Sequence, residues 1–214
     1  MTGTDTGVGK TLVSTALVLG YAARGERVAG LKPIVSGMTA GGVYEDVEAL
    51  RQASVPPRTM EACALYAFRP AIAPHFAAAQ AGCAIDLEAV VRFVQEASRG
   101  VDRVVVEGAG GLLVPLTANE GFADLARALG LPVVLVVGLR LGAINHALLT
   151  HEAIIARGLV LAGWVGTMLV PDLAAGTLEG LRDHLPAPCL GVIPYHTPVD
   201  PRFAARHITI PWCR

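Results

Sequence analysis

Apolar residues are concentrated in short continuous runs along the chain. Five runs rich in valine, leucine and isoleucine occur at residues 27–31, 103–106, 132–137, 161–165 and 190–193. Apolar positions in these runs are continuous instead of alternating with polar ones, which is typical of strands buried on both faces of a parallel sheet. The pattern therefore predicts five buried strands.

Segments with helical spacing lie between these runs. Three of them end just before a glycine, at residues 11–24, 86–99 and 145–157, and glycine is common where a helix terminates. In the first segment, the expected apolar face consists of Leu12, Ala16, Leu19 and Ala23. Asp86 is a candidate N-cap for the second segment. This alternation predicts an α/β fold with an open, mostly parallel sheet, helices on both faces, and ligands at the carboxyl ends of the strands.

Residues 33–85 do not follow this alternation. The stretch contains Gly41-Gly42, Pro56-Pro57, Pro70 and Pro74, so we expect short helices and loops above the sheet. Long irregular excursions in a compact domain commonly carry function. The length suits one domain, and we expect residues 1–214 to form it.

Composition and charge narrow the functional class. The chain is 53% hydrophobic and 16% charged, and 17 Lys plus Arg against 18 Asp plus Glu give a net charge of −1. A disordered protein is excluded, because it would be poor in apolar residues and rich in charge of one sign. The near-neutral balance, without a long basic run, argues against nucleic acid as a partner.

The chain has features of a cytoplasmic protein. Its longest uncharged apolar stretch, residues 158–170, is shorter than the roughly 18 residues that suggest a bilayer span. The first five residues do not resemble a secretion signal. We therefore expect no membrane partner. Cys63, Cys83, Cys189 and Cys213 form no CxxC pair, so we expect all four to be reduced and mostly in the core.

The most informative motif runs from Gly3 to Thr11, with the sequence Gly-Thr-Asp-Thr-Gly-Val-Gly-Lys-Thr. It is similar to a phosphate-binding P-loop, in which backbone N–H groups surround phosphate oxygens, a lysine reaches the outer phosphates and a hydroxyl meets Mg²⁺. Five residues, instead of the usual four, separate Gly3 from Gly9. A glycine-rich turn alone would explain the glycines but not Gly-Lys-Thr at the start of an apolar helix. The motif predicts a nucleotide site.

Charged side chains follow two of the predicted strands. Glu107 comes directly after a strand and before a glycine-rich segment, where a P-loop protein needs a second metal-organising carboxylate. An acid that caps a turn is the alternative. Lys32 ends another strand at the same sheet edge as Lys10, close to Ser36, but a solvated lysine at a strand end is equally common. Asp46 is one of three acids on a short helix and, by itself, is more typical of a solvent-exposed face.

Residues 139–146 leave the strand at 132–137 and begin a helix. A helix start offers free N–H groups to an anion, although an ordinary helix start with Asn145 bonded to the backbone is the simpler interpretation. His146 and His151 are five residues apart and no HExxH motif is present, so a metal-binding histidine pair is not predicted.

Taken together, these segments resemble the dethiobiotin synthetase family, the ATP-dependent cyclo-ligases of biotin synthesis. The matching segments are residues 2–6 and 8–11, 32–33 and 36–37, 107–111, 142 and 144–146, 162–165, and 191 with 193–194. They occur in the family's order and span nearly the whole chain. The resemblance implies a P-loop NTPase-like three-layer sandwich and a homodimer.

The resemblance also implies the reaction. One amine of 7,8-diaminononanoate takes up CO₂ as a carbamate, and the carbamate oxygen attacks the γ-phosphate of ATP. The second amine then closes the ureido ring of dethiobiotin on the mixed anhydride, releasing ADP and phosphate. Phosphoryl transfer of this kind needs in-line positioning and neutralised charge more than covalent help from the protein.

Roles for individual residues follow from the same resemblance. The catalytic set is Lys32, Lys10 and Thr6. The ATP-binding set is Asp5, Gly7, Val8, Gly9, Lys10, Thr11, Glu107, Thr167 and Pro194. The substrate-binding set is Thr6, Lys32, Ser36, Gly108, Gly111, Gly142 and Asn145, with Gly142 to Asn145 holding the substrate's carboxylate tail across the dimer interface. Thr11, Asp46 and Glu107 are the implied Mg²⁺ ligands.

The chain departs from the family pattern at three places. Thr167 stands where the family has an asparagine that reads adenine, and a hydroxyl makes only part of an amide's donor and acceptor pair. Gly7 occupies a loop position where some members have glutamate. Only Met1 and Thr2 precede Gly3, so we expect the first strand to be missing, leaving unpaired backbone and an apolar trough in the sheet. An upstream start supplying five or six mostly apolar residues would repair that defect.

Two other functions fit parts of the pattern. Partitioning and metal-chaperone switches share this P-loop branch and act as nucleotide-driven binding modules, but they carry an extra lysine early in the loop, which Gly3-Thr4-Asp5 lacks. An amidoligase of cobyrinate type would be longer and include a glutamine-hydrolysing domain, for which 214 residues leave no room.

Overall fold

Strands and helices alternate along the protein, for which a computed structural model describes residues 1–210. The strands are β1 (Thr2–Gly3), β2 (Val28–Leu31), β3 (Ile34–Ser36), β4 (Tyr66–Phe68), β5 (Arg103–Val106), β6 (Val133–Leu139), β7 (Leu161–Met168) and β8 (Cys189–Ile193). The helices are α1 (Lys10–Ala22), α2 (Glu45–Ala53), α3 (Pro74–Gln80), α4 (Leu87–Ala97), α5 (Phe122–Leu129), α6 (Ala143–Ala156), α7 (Thr177–His184) and α8 (Pro201–Ala205).

All the paired strands named above run parallel. They form a four-stranded sheet in the order β1-β6-β7-β8 and two pairs, β2-β5 and β3-β4. In the β2-β5 pair, Leu31 lies opposite Val106, so the residues that follow them leave the same sheet edge. The predicted open parallel sheet is confirmed.

Helices cover both faces of the sheet. The side chains of β6 show this, since they alternate between two apolar clusters. Val134 and Val136 pack in one cluster with Leu17 of α1, whereas Leu135 and Val137 pack in another with Ala147 of α6. Successive side chains of a strand point to opposite faces, so a continuous apolar run serves both helical layers. This is the predicted three-layer sandwich.

Several element boundaries differ from the sequence prediction. β6 and β7 run on to Leu139 and Met168, and α6 begins at Ala143, two residues before the predicted start. The irregular stretch 33–85 contains the short parallel pair β3-β4 as well as helices, because three-residue strands are too short to produce a clear pattern. A strand does precede the loop, but it has only two residues, Thr2–Gly3, paired with β6. The expectation that no strand fits there is wrong to that extent.

Two burial predictions also need correction. The buried face of α1 carries Val13, Leu17 and Tyr21, and of the predicted apolar face only Ala16 is buried, while Ala23 is exposed. Of the cysteines within residues 1–210, Cys63 is buried, Cys189 is partly buried and Cys83 is exposed, and all three are free. The core prediction is therefore wrong for Cys83, and Cys213 lies outside the described residues. Within the same range, no helix is both long and apolar enough to cross a membrane.

Candidate active site

The Gly3–Thr11 loop joins the carboxyl end of β1 to the start of α1. Gly9 is the N-cap of α1 and has a φ of 89°, a left-handed conformation that glycine adopts without steric cost. The Nζ of Lys10 donates a hydrogen bond to the carbonyl oxygen of Asp5 at 2.8 Å, so the lysine side chain folds back over its own loop. The free N–H groups of a helix start therefore lie beside a cation, as the P-loop motif predicts.

Thr11, Asp46 and Glu107, the three predicted metal ligands, meet in one place. The Oγ1 of Thr11 lies 2.8 Å from Oδ1 of Asp46 and 2.9 Å from Oε1 of Glu107. Asp46 belongs to the first turn of α2, and Glu107 follows β5. The three side-chain oxygens therefore come from segments that are far apart in the sequence.

This oxygen set has the chemistry of a Mg²⁺ site. The Thr11 hydroxyl carries one hydrogen and can donate to only one of its two carboxylate neighbours at a time. The Oε2 of Glu107 is buried and has no hydrogen-bond partner among residues 1–210. A hard divalent cation that binds through one or two carboxylates, water and phosphate would fit these donors. The described residues contain no cluster of three or more Asp, Glu, His and Cys side chains that could hold a metal, so the site would depend on the Thr11 hydroxyl and on nucleotide oxygens.

Lys32 is the central cation of this cluster. Its Nζ lies 2.6 Å from Oε1 of Glu107, 2.9 Å from Oδ2 of Asp46 and 2.9 Å from the carbonyl oxygen of Gly108. The parallel pairing of β2 with β5 explains the contact with Glu107, because Lys32 and Glu107 follow the register pair Leu31 and Val106. An ammonium group has three hydrogens, so all of them are used.

Electrostatic coupling shifts the pKa values in this cluster. Burial by itself lowers the pKa of Lys32, but the attraction of Glu107 and Asp46 outweighs it and raises that pKa above the usual value. Burial by itself raises the pKa of Asp46. The positive charge of Lys32 and the hydrogen bonds from Lys32 and Thr11 outweigh burial and lower that pKa below its usual value. Desolvation, with help from the charge of Lys32, lowers the pKa of Lys10. Lys32 and Asp46 therefore both stay charged, as an ion pair, across the physiological pH range.

The predicted substrate residues divide into two groups. The carbonyl oxygen of Gly108 accepts a hydrogen bond from Lys32. Thr6 lies near the glycine-rich segment that follows, since a Cβ at Gly110 would be 3.7 Å from the Thr6 hydroxyl. Gly111 forms a bridge with Gly3 of β1.

Ser36, Gly142 and Asn145 lie apart from these contacts. Ser36 ends β3, where it pairs with Phe68 of β4. Gly142 is the N-cap of α6, with a φ of 90°, and Asn145 is exposed in its first turn. Asn145 is therefore not the N-cap, and the helix start faces solvent in this chain.

A cavity of about 220 Å³ adjoins the loop on the side of β7 and β8. It brings together the predicted nucleotide residues Gly7, Gly9, Thr167 and Pro194. The Oγ1 of Thr167 is buried without a hydrogen-bond partner among the described residues. A polar group held in that condition is available to a ligand.

Sequence reasoning missed three residues around the loop. His196 and Phe203 line the cavity beside β7 and β8, and their rings stack with centroids 4.1 Å apart. His196 could have been noticed in the sequence because it follows the last strand. Arg140 forms a 2.8 Å ion pair with Asp5 of the loop. Its position after β6 is the same strand-end signal that identified Lys32 and Glu107.

The fold and this site define an ATP-binding protein of the P-loop NTPase-like class. Solved structures share its fold: the septum site-determining protein MinD of Pyrococcus horikoshii, bound to Mg-ADP, is 16% identical with a TM-score of 0.60 over 99% of this chain and 84% of its own. A ParA family ATPase from Chlorobium tepidum is 10% identical with a TM-score of 0.57 over 98% of this chain and 89% of its own. At these identities the likeness shows the fold alone.

Sequence relatives show the family. A family profile described as an AAA domain matches residues 1–202. The ATP-dependent dethiobiotin synthetase of Ralstonia nicotianae is 47% identical over 98% of this chain and 94% of its own length. The ATP-dependent dethiobiotin synthetase of Nitrosospira multiformis is 47% identical over 94% of this chain and 90% of its own length. The chain belongs to the ATP-dependent dethiobiotin synthetase family. The switch alternative is not favoured, since its representatives resemble the chain in fold only.

Proposed function

We propose that the chain forms the ureido ring of dethiobiotin from 7,8-diaminononanoate, CO₂ and ATP, as a step of biotin synthesis, releasing ADP and phosphate. The observation that carries the proposal is the meeting of Lys10, Lys32, Thr11, Asp46 and Glu107 at one sheet edge in a chain 47% identical to dethiobiotin synthetases. Two cations and two carboxylates beside a phosphate-binding loop suit phosphoryl transfer onto an anionic acceptor.

The loop and Lys10 bind the nucleotide phosphates in this scheme. Lys10 now donates to the Asp5 carbonyl oxygen, a bond it can exchange for a phosphate oxygen, because a neutral acceptor competes poorly with a charged one. Asp5, Gly7, Val8 and Gly9 supply the loop backbone. On the far side of the loop, Thr167 and Pro194 border the cavity that accommodates the base.

Lys32 balances the charge that develops between the carbamate and the γ-phosphate. All three of its hydrogens are already bonded, so it must release one acceptor to contact a substrate. Asp46 is the acceptor that can move, because its side chain is 40% exposed, whereas Glu107 has no exposed surface. Thr6, Ser36, Gly108 and Gly111 complete the substrate side.

Thr11, Asp46 and Glu107 would hold Mg²⁺. When bound, the ion would neutralise charge on the phosphates. The carbamate oxygen bonds to phosphorus, and ADP leaves. The protein's own contribution is to keep the two carboxylates and the hydroxyl within hydrogen-bond distance of one another.

The second amine then attacks the carbamate carbon, and phosphate leaves as the ring closes. We further propose a cytoplasmic homodimer in which Gly142 and Asn145 at the start of α6 bind the substrate carboxylate across the interface. The free N–H groups and the positive end of the helix dipole support that role.

The test is release of phosphate from ATP by the purified protein with both diaminononanoate and bicarbonate, one of them, or neither. The proposal expects phosphate release that requires both, with dethiobiotin identified by mass. Release that is equal without either substrate would instead indicate a nucleotide switch. A matched Lys32→Arg variant, which keeps the charge but not the compact shape of the ammonium, should lose ring closure.

A further inference from the structure

Arg140 and Asp5 join the end of β6 to the phosphate-binding loop. β1 pairs in parallel with β6, and the loop continues beside that strand. The N–H of Thr4 donates to the carbonyl oxygen of Val136 at 3.0 Å, and the N–H of Gly138 donates to Oγ1 of Thr4 at 3.3 Å. Arg140, just beyond the end of β6, therefore lies beside the next loop residue, and its Nη2 is 2.8 Å from Oδ2 of Asp5.

Asp5 places a negative charge inside a loop that binds anions. Its Oδ1 accepts a hydrogen bond from the N–H of Thr6 at 2.7 Å, and its backbone carbonyl oxygen accepts from Nζ of Lys10 at 2.8 Å. An ionised carboxylate only accepts hydrogen bonds, so it presents the same chemistry as phosphate oxygens to N–H groups and to an ammonium group. The Asp5 carboxylate is therefore an internal competitor for the groups that bind ATP.

The groups open to that competition lie in the rest of the loop. Within residues 1–210, the N–H groups of Gly7, Val8 and Gly9 have no backbone acceptor. A loop of this kind turns several N–H groups toward one anion. A carboxylate in the same loop, if nothing restrained it, would compete with phosphate for these N–H groups.

We propose that Arg140 is a positioning residue that holds the Asp5 carboxylate away from the phosphate-binding groups of the loop. The proposal rests on the proposed function only in assigning ATP to this loop. Because Oδ2 is bonded to Arg140, Asp5 offers the loop a single side-chain oxygen, and the N–H of Thr6 takes it. Without Arg140, both oxygens are free to accept from the open N–H groups and from Nζ of Lys10, and ATP must displace them.

Two other roles for Arg140 lead to different expectations. A purely structural ion pair would affect stability alone, and exposed pairs contribute little to stability; the side chains of Arg140 and Asp5 are 45% and 47% exposed. A direct contact between Arg140 and a phosphate would not depend on Asp5. A double variant separates positioning from direct contact, because only positioning acts through the Asp5 carboxylate.

The experiment measures the Kd for ATP by titration in the absence of diaminononanoate and bicarbonate. The proteins are the wild type, Arg140→Gln, Asp5→Asn and the double variant. Asp5→Asn removes the charge but keeps an oxygen acceptor for the N–H of Thr6. Arg99→Gln is the matched control, because it loses a 2.7 Å ion pair with Glu96 before β5, at the amino ends of the strands and away from the loop. Thermal unfolding shows that each protein is folded.

Arg140→Gln should raise the Kd for ATP about tenfold, whereas the same change in the Asp5→Asn background should raise it less than about threefold. Arg140→Lys, which keeps a cation for Oδ2 of Asp5, should stay within about threefold of the wild type. Arg99→Gln should leave the Kd unchanged.

Equal weakening of ATP binding in both backgrounds would show that Arg140 contacts the phosphates directly and would overturn the proposal. An unchanged Kd in Arg140→Gln would overturn it as well. Failure of the proposed function would instead appear as phosphate release that does not depend on diaminononanoate and bicarbonate, which this titration does not measure.

Discussion

At the scale of single residues, the two lysines of the site are in different environments. Lys10 donates a hydrogen bond to a backbone carbonyl oxygen of its own loop, whereas Lys32 neutralises the fully buried Glu107 and the half-buried Asp46. Removing one partner of a buried ion pair leaves an uncompensated charge. The same residue type, at two strand ends, therefore has different structural importance.

We predict that Lys10→Ala and Lys32→Ala both abolish ring closure but differ in binding and stability. Lys10→Ala should weaken ATP binding with little loss of stability. Lys32→Ala should leave ATP binding mostly intact and lower the unfolding free energy by about 3–5 kcal/mol. Nucleotide titration and urea unfolding measure the two effects, and Lys32→Arg is the control that keeps the charge. Equal loss of ATP affinity in both variants would contradict this division of roles.

We predict a pH-dependent stability term from the Met1 amine, whose pKa falls from 8.0 to about 6 on folding. Below pH 6 both states are protonated and the folded state bears the full cost of the buried charge. From pH 6 to pH 8 the unfolded state binds more protons, so stability rises with pH, and above pH 8 the cost is gone. Its size is about 2–3 kcal/mol. Urea unfolding from pH 5.5 to 8.5, on protein whose mass shows that Met1 is retained, measures it.

Acetylation of the same amine is the control. Acetylation removes the titrating amine, so the difference between the two profiles reports the contribution of Met1. Parallel profiles would show that the amine is solvated and that the prediction is wrong.

We predict that Thr167 selects weakly among nucleotides. A site that pairs with a base rejects an analogue by leaving buried polar groups unmatched, at roughly 1–3 kcal/mol per group, and threonine offers one hydroxyl. The ratio of kcat/KM for ATP over GTP should therefore be below about a thousandfold, which corresponds to roughly 4 kcal/mol. Thr167→Val, similar in shape without the hydroxyl, should reduce the ratio further. A wild-type ratio above a thousandfold would show that other groups read the base.

At the scale of elements, local rules account for most helix boundaries. Asp86 is the N-cap of α4, and its Oδ1 accepts a hydrogen bond from the N–H of Ala89 at 3.1 Å, as its position in the sequence indicates. α1 is different, because the apolar face predicted for it was wrong apart from Ala16. It packs against β2, α2 and α8 together, and contact on several sides removes the single apolar stripe that helical spacing assumes.

We predict that Asp86→Ala lowers stability by about 1 kcal/mol, the usual cost of losing an N-cap, and lowers Tm by roughly 2–4 °C. Asp86→Asn keeps a side-chain oxygen acceptor and should stay within a few tenths of a kcal/mol. Calorimetry of the three proteins measures both. If Asn costs as much as Ala, the 3.7 Å ion pair with Arg92 is responsible instead of the cap.

At the scale of the whole molecule, apolar residues are exposed on and beside α6. Leu141 is 95% exposed, and Leu149 and Ile155 are more than half exposed. Leu149 and Ile155 lie on α6, which has Gly142 as its N-cap and Asn145 in its first turn, and Leu141 directly precedes Gly142. We place the substrate tail at this helix start, across a dimer interface. Burial of this surface in a homodimer would bring that helix start next to the partner subunit.

We predict a dimer of about 44 kDa, twice the 22.2 kDa of one chain, in sedimentation equilibrium. Leu141→Asp combined with Leu149→Asp should yield monomers, because charge is poorly tolerated in an interface core. Phe76→Asp on α3, where Phe76 is 59% exposed, is the matched control and should leave the mass unchanged. A monomeric wild-type protein would contradict the prediction.

The sequence by itself determined the class of fold and indicated which residues to expect at the site. Continuous apolar runs, helical spacing and the Gly-Lys-Thr loop are local patterns, so they identify buried strands, their covering helices and a phosphate-binding loop without knowledge of distant contacts. Residues that follow strands, such as Lys32 and Glu107, are placed at one sheet edge by the parallel arrangement alone. Their catalytic and metal-binding roles stay predictions.

Only the tertiary structure decided which of these residues meet. The pairing register of β2 with β5 brings Lys32 to 2.6 Å from Glu107. The placement of α2 adds Asp46, although the sequence around Asp46 is typical of a solvent-exposed helix face. The short β3-β4 pair, the Asp5–Arg140 ion pair and the apolar cavity lined by Met1, Val104 and Val134 likewise arise between segments far apart in the chain. Register and burial are properties of the packed molecule, because each depends on partners that no local pattern contains.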